Sequence, residues 1–167
     1  MRLALDVVGA PEAAAGIEQG YLRMYTAASK KMGVSMLGLR NYVVTQHLHG
    51  PTGDTTLQQR SGNLARNVAS ETREEGDSVI GLVGIPEANT APYARILHEG
   101  GSTRAHVIEA REAQALAFMA GGQMIFRRKV NHPGSNFRSR PYLTASLIEE
   151  RDQIAADLKA AMLESTT

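Results

Sequence analysis

The stretch Glu74-Glu75-Gly76-Asp77-Ser78-Val79-Ile80-Gly81-Leu82-Val83-Gly84-Ile85 decides the fold. Its first four residues are turn chemistry, and the apolar, β-branched run that follows reads as a buried strand. Val68 and Thr72 lead into the turn, so the segment is expected to be a β-hairpin. Upstream, Ile17, Tyr21, Met24, Ala28, Met32, Met36, Leu39 and Val43 recur at steps of three or four and lay one apolar stripe along a long helix. Pro11 suits its first turn and Gly50-Pro51 ends it. Gly16, Gly20, Gly33 and Gly38 each cost about 1 kcal/mol of helix propensity against Ala, which leaves room for a break near Gly33. Downstream, the segments 105–110, 113–119 and 123–130 are separated by polar or Gly-Gly breaks and read as further strands, with Gly121-Gly122 the tightest turn. Leu143, Leu147, Ile154, Leu158 and Met162 mark a last helix after Pro141, interrupted at Glu149-Glu150-Arg151-Asp152. A short strand is expected at residues 2–8. The predicted architecture is α+β: one mainly antiparallel sheet flanked by a long N-terminal helix and a C-terminal helix, in a single domain spanning 1–167.

The bulk composition agrees with a folded chain of one domain. It has 167 residues, 43% of them hydrophobic and 21% charged, with no block of like charge. Eighteen Lys and Arg against 17 Asp and Glu leave a net charge of +1, too little for the whole-molecule field to hold a polyanion, so any nucleic-acid contact must be local. The absence of cysteine excludes disulfides, thiolate nucleophiles and Cys-ligated zinc. Neither a signal sequence nor an apolar run of membrane-spanning length is expected, and the product is expected to stay where it is made, in the cytoplasm.

The side chains that carry chemistry form no familiar constellation. His47 and His49, two apart on a helix, point about 200° apart and cannot share a metal. His98-Glu99 opens like a zincin motif, but Ser102 stands where the second histidine is required. His106 and His132 lie alone in sequence. No serine sits in a Gly-x-Ser-x-Gly elbow, and Gly100-Gly101 and Gly121-Gly122 lack the Lys-Ser/Thr of a phosphate loop. No cofactor, metal or catalytic residue is expected. A hydrolase would need residues distant in sequence, such as His98, Glu99 and His132, to meet in one cleft.

One local charge feature stands out. Arg127, Arg128, Lys129, Arg138 and Arg140, with His132, form a basic stretch that contains no acid. Three readings apply: a solvated edge that discourages edge-to-edge pairing, a lining for passing DNA, or a surface pairing with the acidic Glu149-Glu150-Asp152 of a neighbouring subunit, and the last is preferred.

Three runs carry a resemblance: Arg60-Ser61-Gly62-Asn63-Leu64-Ala65-Arg66, then Pro92-Tyr93-Ala94-Arg95-Ile96-Leu97-His98-Glu99-Gly100-Gly101, then Arg140-Pro141-Tyr142-Leu143-Thr144-Ala145-Ser146-Leu147. In order and spacing, across residues 2 to 163, the chain resembles the small tail-completion and virion-morphogenesis proteins of tailed bacteriophages. The family's sheet-opening segment falls on Gly62 and Leu64, its central segment on Tyr93, Ala94, Glu99 and Gly100, and its helix-introducing segment on Pro141 and Leu143. These are residues of the fold, and truncating Tyr93 or Leu143 is expected to damage it. Ala110 stands where the family pattern has proline, and the Met-rich first helix is longer than is typical, which leaves the subfamily open.

The resemblance implies a non-enzymatic virion protein of the head-tail junction. It would form a homo-oligomeric ring, a hexamer, around the DNA channel and join the tail to the head connector. Its partners would be further copies of itself, the head-connector protein and the tail-tube or terminator protein, with DNA passing through and no membrane. The contact surfaces would be loop 50–57, the glycine loop 100–104 and the segment 127–140. A tail terminator capping the tube fits the same features. The rival from another class is a nucleic-acid-binding module using residues 127–140, which predicts tight, salt-sensitive binding by the monomer.

Overall fold

The computed structural model describes residues 10–86, 91, 93–111 and 113–166, with side chains from residue 15 onward. The strand expected at residues 2–8, and Pro92 of the central motif, lie outside them. The fold is α+β. The chain divides into two compact units, one made of Met1–Pro92 with Pro141–Thr167 and the other of Tyr93–Arg140.

In the first unit, helix α1 (Ala10–Tyr42) runs through Gly33 without a break and widens into a π-helical turn at Val43–His47. Its 33 residues span about 50 Å at roughly 1.5 Å each. The second half of the predicted stripe faces inward: Met36, Leu39 and Val43 are buried, whereas Ile17 and Tyr21 at the N-terminal end are exposed. What holds the glycine-bearing stretch is packing. Helix α1 lies across the hairpin of β1 (Ala69–Glu75) and β2 (Ser78–Gly84). An ideal Cβ on Gly81 would meet Met36 Sδ at 2.5 Å and Met32 Sδ at 2.7 Å, so the bare glycine is what lets the two methionines sit on the strand. The hairpin turns at Gly76-Asp77, within the expected segment.

Strand β2 departs from the buried strand the sequence suggests. Val79, Gly81 and Val83 share the helix-facing side, while Ile80 and Leu82 alternate onto an exposed one beside Glu71 and Arg73. A two-stranded ladder has only one helix to cover it, so half of its apolar residues remain outside.

A four-residue helix α2 (Asn63–Arg66) precedes the hairpin. The last helix of this unit (Tyr142–Glu164) continues through Glu149–Asp152, where a break was expected. Its buried residues are Tyr142 and Ser146, and Leu147 and Met162 of the predicted stripe are exposed. Ser146 is tolerated inside because its hydroxyl donates to Tyr142 O at 2.7 Å, leaving no unpaired donor. Lys31 fastens this helix to α1 through Asp157 at 2.8 Å. The same ammonium, with the Gln153 amide, holds the Asp157 carboxyl below its ordinary value.

The second unit contains helix α3 (Ala94–Glu99) and six short strands: β3 (Gly101–Ser102), β4 (His106–Glu109), β5 (Leu116–Ala120), β6 (Gln123–Arg127), β7 (Lys129–His132) and β8 (Asn136–Phe137). The last helix of the chain, already given as Tyr142–Glu164, is α4. The sequence leads one to expect a single sheet; among the described residues these strands do not join β1–β2, and the four ladders are each two-stranded and antiparallel. The three in this unit are nested. Gly101 pairs with Phe137, His106 with His132 and Glu109 with Lys129, all in one register. The backbone bonds of Thr103 N–H to Ser135 O (2.9 Å) and Ala110 N–H to Arg128 O (3.0 Å) keep that register across the gaps. Beyond them β5 and β6 pair in a shifted register, Leu116 opposite Arg127, up to the Gly121-Gly122 tip, where both φ angles are positive. The strands therefore form a single interrupted ribbon.

Candidate assembly surface

The outer face of the ribbon follows from its register. Ala117 lies opposite Phe126 and Met119 opposite Met124, so these four side chains share one face of β5–β6. They are all exposed: Met119 is 63%, Met124 56% and Phe126 62% accessible. The opposite face carries Leu116, Phe118 and Ile125, which are half-buried. A hairpin of two strands is marginal in water, and one with apolar side chains on both faces needs cover from elsewhere.

The basic residues lie at the base of the same hairpin, with Arg127 opposite Leu116 on the other face. Arg127 ends β6, Arg128 occupies the bend that follows, and Lys129 begins β7, so the three stand together at the base of the β5–β6 hairpin and are exposed. Lys129 pairs with Glu109 across the ladder at 3.1 Å. Arg127 Nη1 donates to Phe126 O at 3.2 Å. Arg138 and Arg140 belong elsewhere on the unit, past β8, where the Arg140 backbone N–H donates to Leu97 O at 3.0 Å. The basic stretch is thus one cluster of three cations and a separate pair at the root of the ribbon.

The motif residues divide between the units. Gly62 takes a positive φ of 71° ahead of α2 and is buried, and Leu64 is half-buried. Tyr93 precedes α3 and is 38% exposed, while Ala94 is buried. Glu99 bonds Arg95 one helical turn away, at 2.8 Å. Gly100 follows α3 at φ 78°, Pro141 precedes α4, and Leu143 is half-buried beside the fully buried Tyr142.

Two histidine arrangements escape sequence reading. His106 and His132 are cross-strand partners whose rings lie 5.0 Å apart. His106 Nδ1 donates to Arg104 O at 2.9 Å, and His132 Nδ1 accepts the Gly134 N–H at 3.0 Å. No third metal-ligating side chain joins them: among the described residues there is no cluster of three.

His47 is buried at the π-helical turn. Its Nδ1 faces Thr55 O at 3.1 Å and its Nε2 faces Glu149 Oε2 at 3.0 Å. Tyr42 donates its hydroxyl to the same carboxylate oxygen at 3.0 Å. Hydrogen bonds from His47 and then Tyr42 hold the Glu149 carboxyl below its ordinary value, against the opposing pull of partial burial. Glu149 in turn pushes the Tyr42 phenol up. This knot ties loop 50–57 and α4 to the end of α1. The only local hint of it is that His47 continues the apolar stripe one turn after Val43.

The depressed Glu149 value gives a pH signature. A carboxyl whose folded value lies below its unfolded one contributes stability that is present above the unfolded value, about 4.3, and lost as pH falls through the folded one. Glu149→Gln should therefore flatten the acid limb of the thermal-midpoint profile. The side chain is 45% exposed, so the difference should stay below about 1 kcal/mol. Identical acid limbs for the two proteins would mean the knot contributes nothing.

No protein-family profile, curated protein or solved structure matches the chain. Among the described residues, no helix is long and apolar enough to cross a membrane.

Proposed function

We propose that this chain is a structural subunit of the head-tail junction of a tailed bacteriophage, a tail-completion protein that acts as a ring of identical copies. The observation that supports this reading is the ribbon: a two-stranded arm whose outer face, Ala117, Met119, Met124 and Phe126, has no cover among the described residues of its own unit. A ring supplies such cover repeatedly, because each copy presents its arm to the next and receives one from the previous. The order of the three sequence motifs favours the phage assignment over other ring-forming proteins. Arg127, Arg128 and Lys129, exposed at the base of the hairpin, give the arm the polar margin an interface requires. A tail terminator shares the same ribbon argument and differs in which end of the junction it meets.

The test is the mass of the purified protein by light scattering, alone and mixed with tail tubes lacking their head-proximal end, with electron microscopy of the mixture. A ring, free or formed on tube ends, is the expected result; a chain that stays monomeric and ignores the tubes would remove the reading. Phe126→Asp should abolish ring formation while changing the unfolding free energy by no more than about 1 kcal/mol, since the side chain is 62% accessible and faces only the small Ala117 across the ladder. Joint replacement of Arg127, Arg128, Arg138 and Arg140 by Ala should impair joining of tail to head and leave the monomer folded.

A further inference from the structure

The first unit carries a pocket of about 310 Å³ beside the end of α1, with Val44 and Ala65 as its apolar floor. Its polar lining includes Arg40, Arg66, His49, Asn41 and Gln59, and contains neither Asp nor Glu. The donors are poised and have no carboxylate acceptor in the lining. Arg40 is held in place by Nε donating to Val68 O at 2.8 Å and Nη1 to Asn41 Oδ1 at 3.3 Å. That second bond turns the Asn41 oxygen toward the arginine and leaves the Asn41 amide N–H groups without an acceptor among the described residues. Arg66 and Gln59 converge: an ideal Cβ on Gly62 would sit 2.6 Å from Gln59 Nε2 and 3.1 Å from Arg66 Nη1. The bare glycine, at φ 71°, leaves both nitrogens their place above it. Neither arginine has a carboxylate partner among the described residues.

Two guanidinium groups lining one pocket over an uncharged floor repel one another, and an anion between them removes that repulsion while the two amides add donors. A carboxylate offers two oxygens, fewer than this donor set can fill, whereas the three oxygens of a phosphate match it, and arginine is suited to phosphate by its forked geometry. We infer that the pocket formed by Arg40, Asn41, Gln59 and Arg66 over Gly62 binds a phosphate group. This stands apart from the ring reading: it involves other residues and the other unit. The phosphate of a nucleic-acid strand and that of a small phosphorylated molecule present the same chemistry to this pocket.

The test is nuclear magnetic resonance on the full chain, following the side-chain N–H signals of Arg40, Arg66 and Gln59. Sodium phosphate, sodium acetate at equal ionic strength and a single-stranded oligonucleotide are titrated in turn. Phosphate should give saturable shifts at these three residues, and acetate should not. Arg66→Gln, an exposed position, should weaken phosphate binding at least about tenfold, because a hydrogen bond to a charged group is lost. Arg128→Gln should leave it unchanged. An oligonucleotide that shifts the same signals at lower concentration assigns the phosphate to a nucleic-acid strand; phosphate binding without oligonucleotide binding assigns it to a small molecule. Equal response to acetate, indifference to Arg66→Gln, or shifts confined to Arg127–Lys129 would overturn the inference.

Discussion

Replacing Tyr142 by alanine should cost about 3–5 kcal/mol of unfolding free energy, the largest loss expected from any side-chain truncation in the first unit. Tyr142 is 1% exposed, at the start of α4, and stacks its turn against Ser146, which is fully buried one turn later. Removing the ring leaves a void in a core with few large side chains to refill it. The neighbouring Leu143 is only half-buried, so Leu143→Ala should cost clearly less, about 1–2 kcal/mol. Urea unfolding of the two variants side by side measures the difference. Equal losses, or a larger one for Leu143, would mean that α4 packs through a different face.

Gly100→Ala should be comparably severe and confined to the other unit. Gly100 has φ 78° and ψ 179°, a backbone region open to glycine and costly for any residue bearing a Cβ. The added methyl would also lie 2.8 Å from Ser139 N and 3.1 Å from Phe137 O, which are backbone atoms and cannot swing aside. Strain and crowding together should cost about 2–5 kcal/mol. Hydrogen exchange reads where the damage falls. The Thr103 and Arg140 amides, bonded to Ser135 O and Leu97 O at the root of the ribbon, should lose protection, while amides in α1 and α4 keep theirs. Full protection at the root would show that the turn tolerates a side chain.

How much of this was legible in the sequence depended on the range of the interaction. The stripe Met24 to Val43 was readable because helical periodicity is local, and so were the β1–β2 hairpin and the Gly121-Gly122 tip, whose turn chemistry lies within a few residues. The strand partners of β3 and β4 were not. Gly101 meets Phe137 and His106 meets His132 across dozens of residues, and a list of apolar segments does not say whether they lie side by side in one sheet or fold back on one another. Helix α4 was misread for a different reason. A stripe drawn through leucines passes over Ser146, whose burial depends on its bond to Tyr142 O, and over Tyr142 itself.

The candidate surfaces divide in the same way. The adjacency of Arg127, Arg128 and Lys129 is plain from their numbers, but their place at the base of an uncovered apolar face is visible only in the register of β5 and β6. His47 carries no motif at all. Its partner Glu149 is 102 residues away, and the pair forms because α4 returns along α1. Likewise, Arg40 and Arg66 share a pocket only because α2 folds back beside the end of α1.

The nested ribbon also behaves as a ruler. Its two limbs are counted off from a fixed root, Gly101 against Phe137, toward a free tip at Gly121-Gly122. Adding one residue to each limb lengthens the arm by about 3.3 Å but turns every side chain beyond that point to the opposite face. Reach can therefore change without losing the apolar face only in paired steps of about 6.6 Å. An unmatched addition must instead shift the register, as happens between Glu109, opposite Lys129, and Leu116, opposite Arg127. A lineage under selection to span a wider or narrower gap would be expected to vary this arm in that quantised way, while its root stays constant.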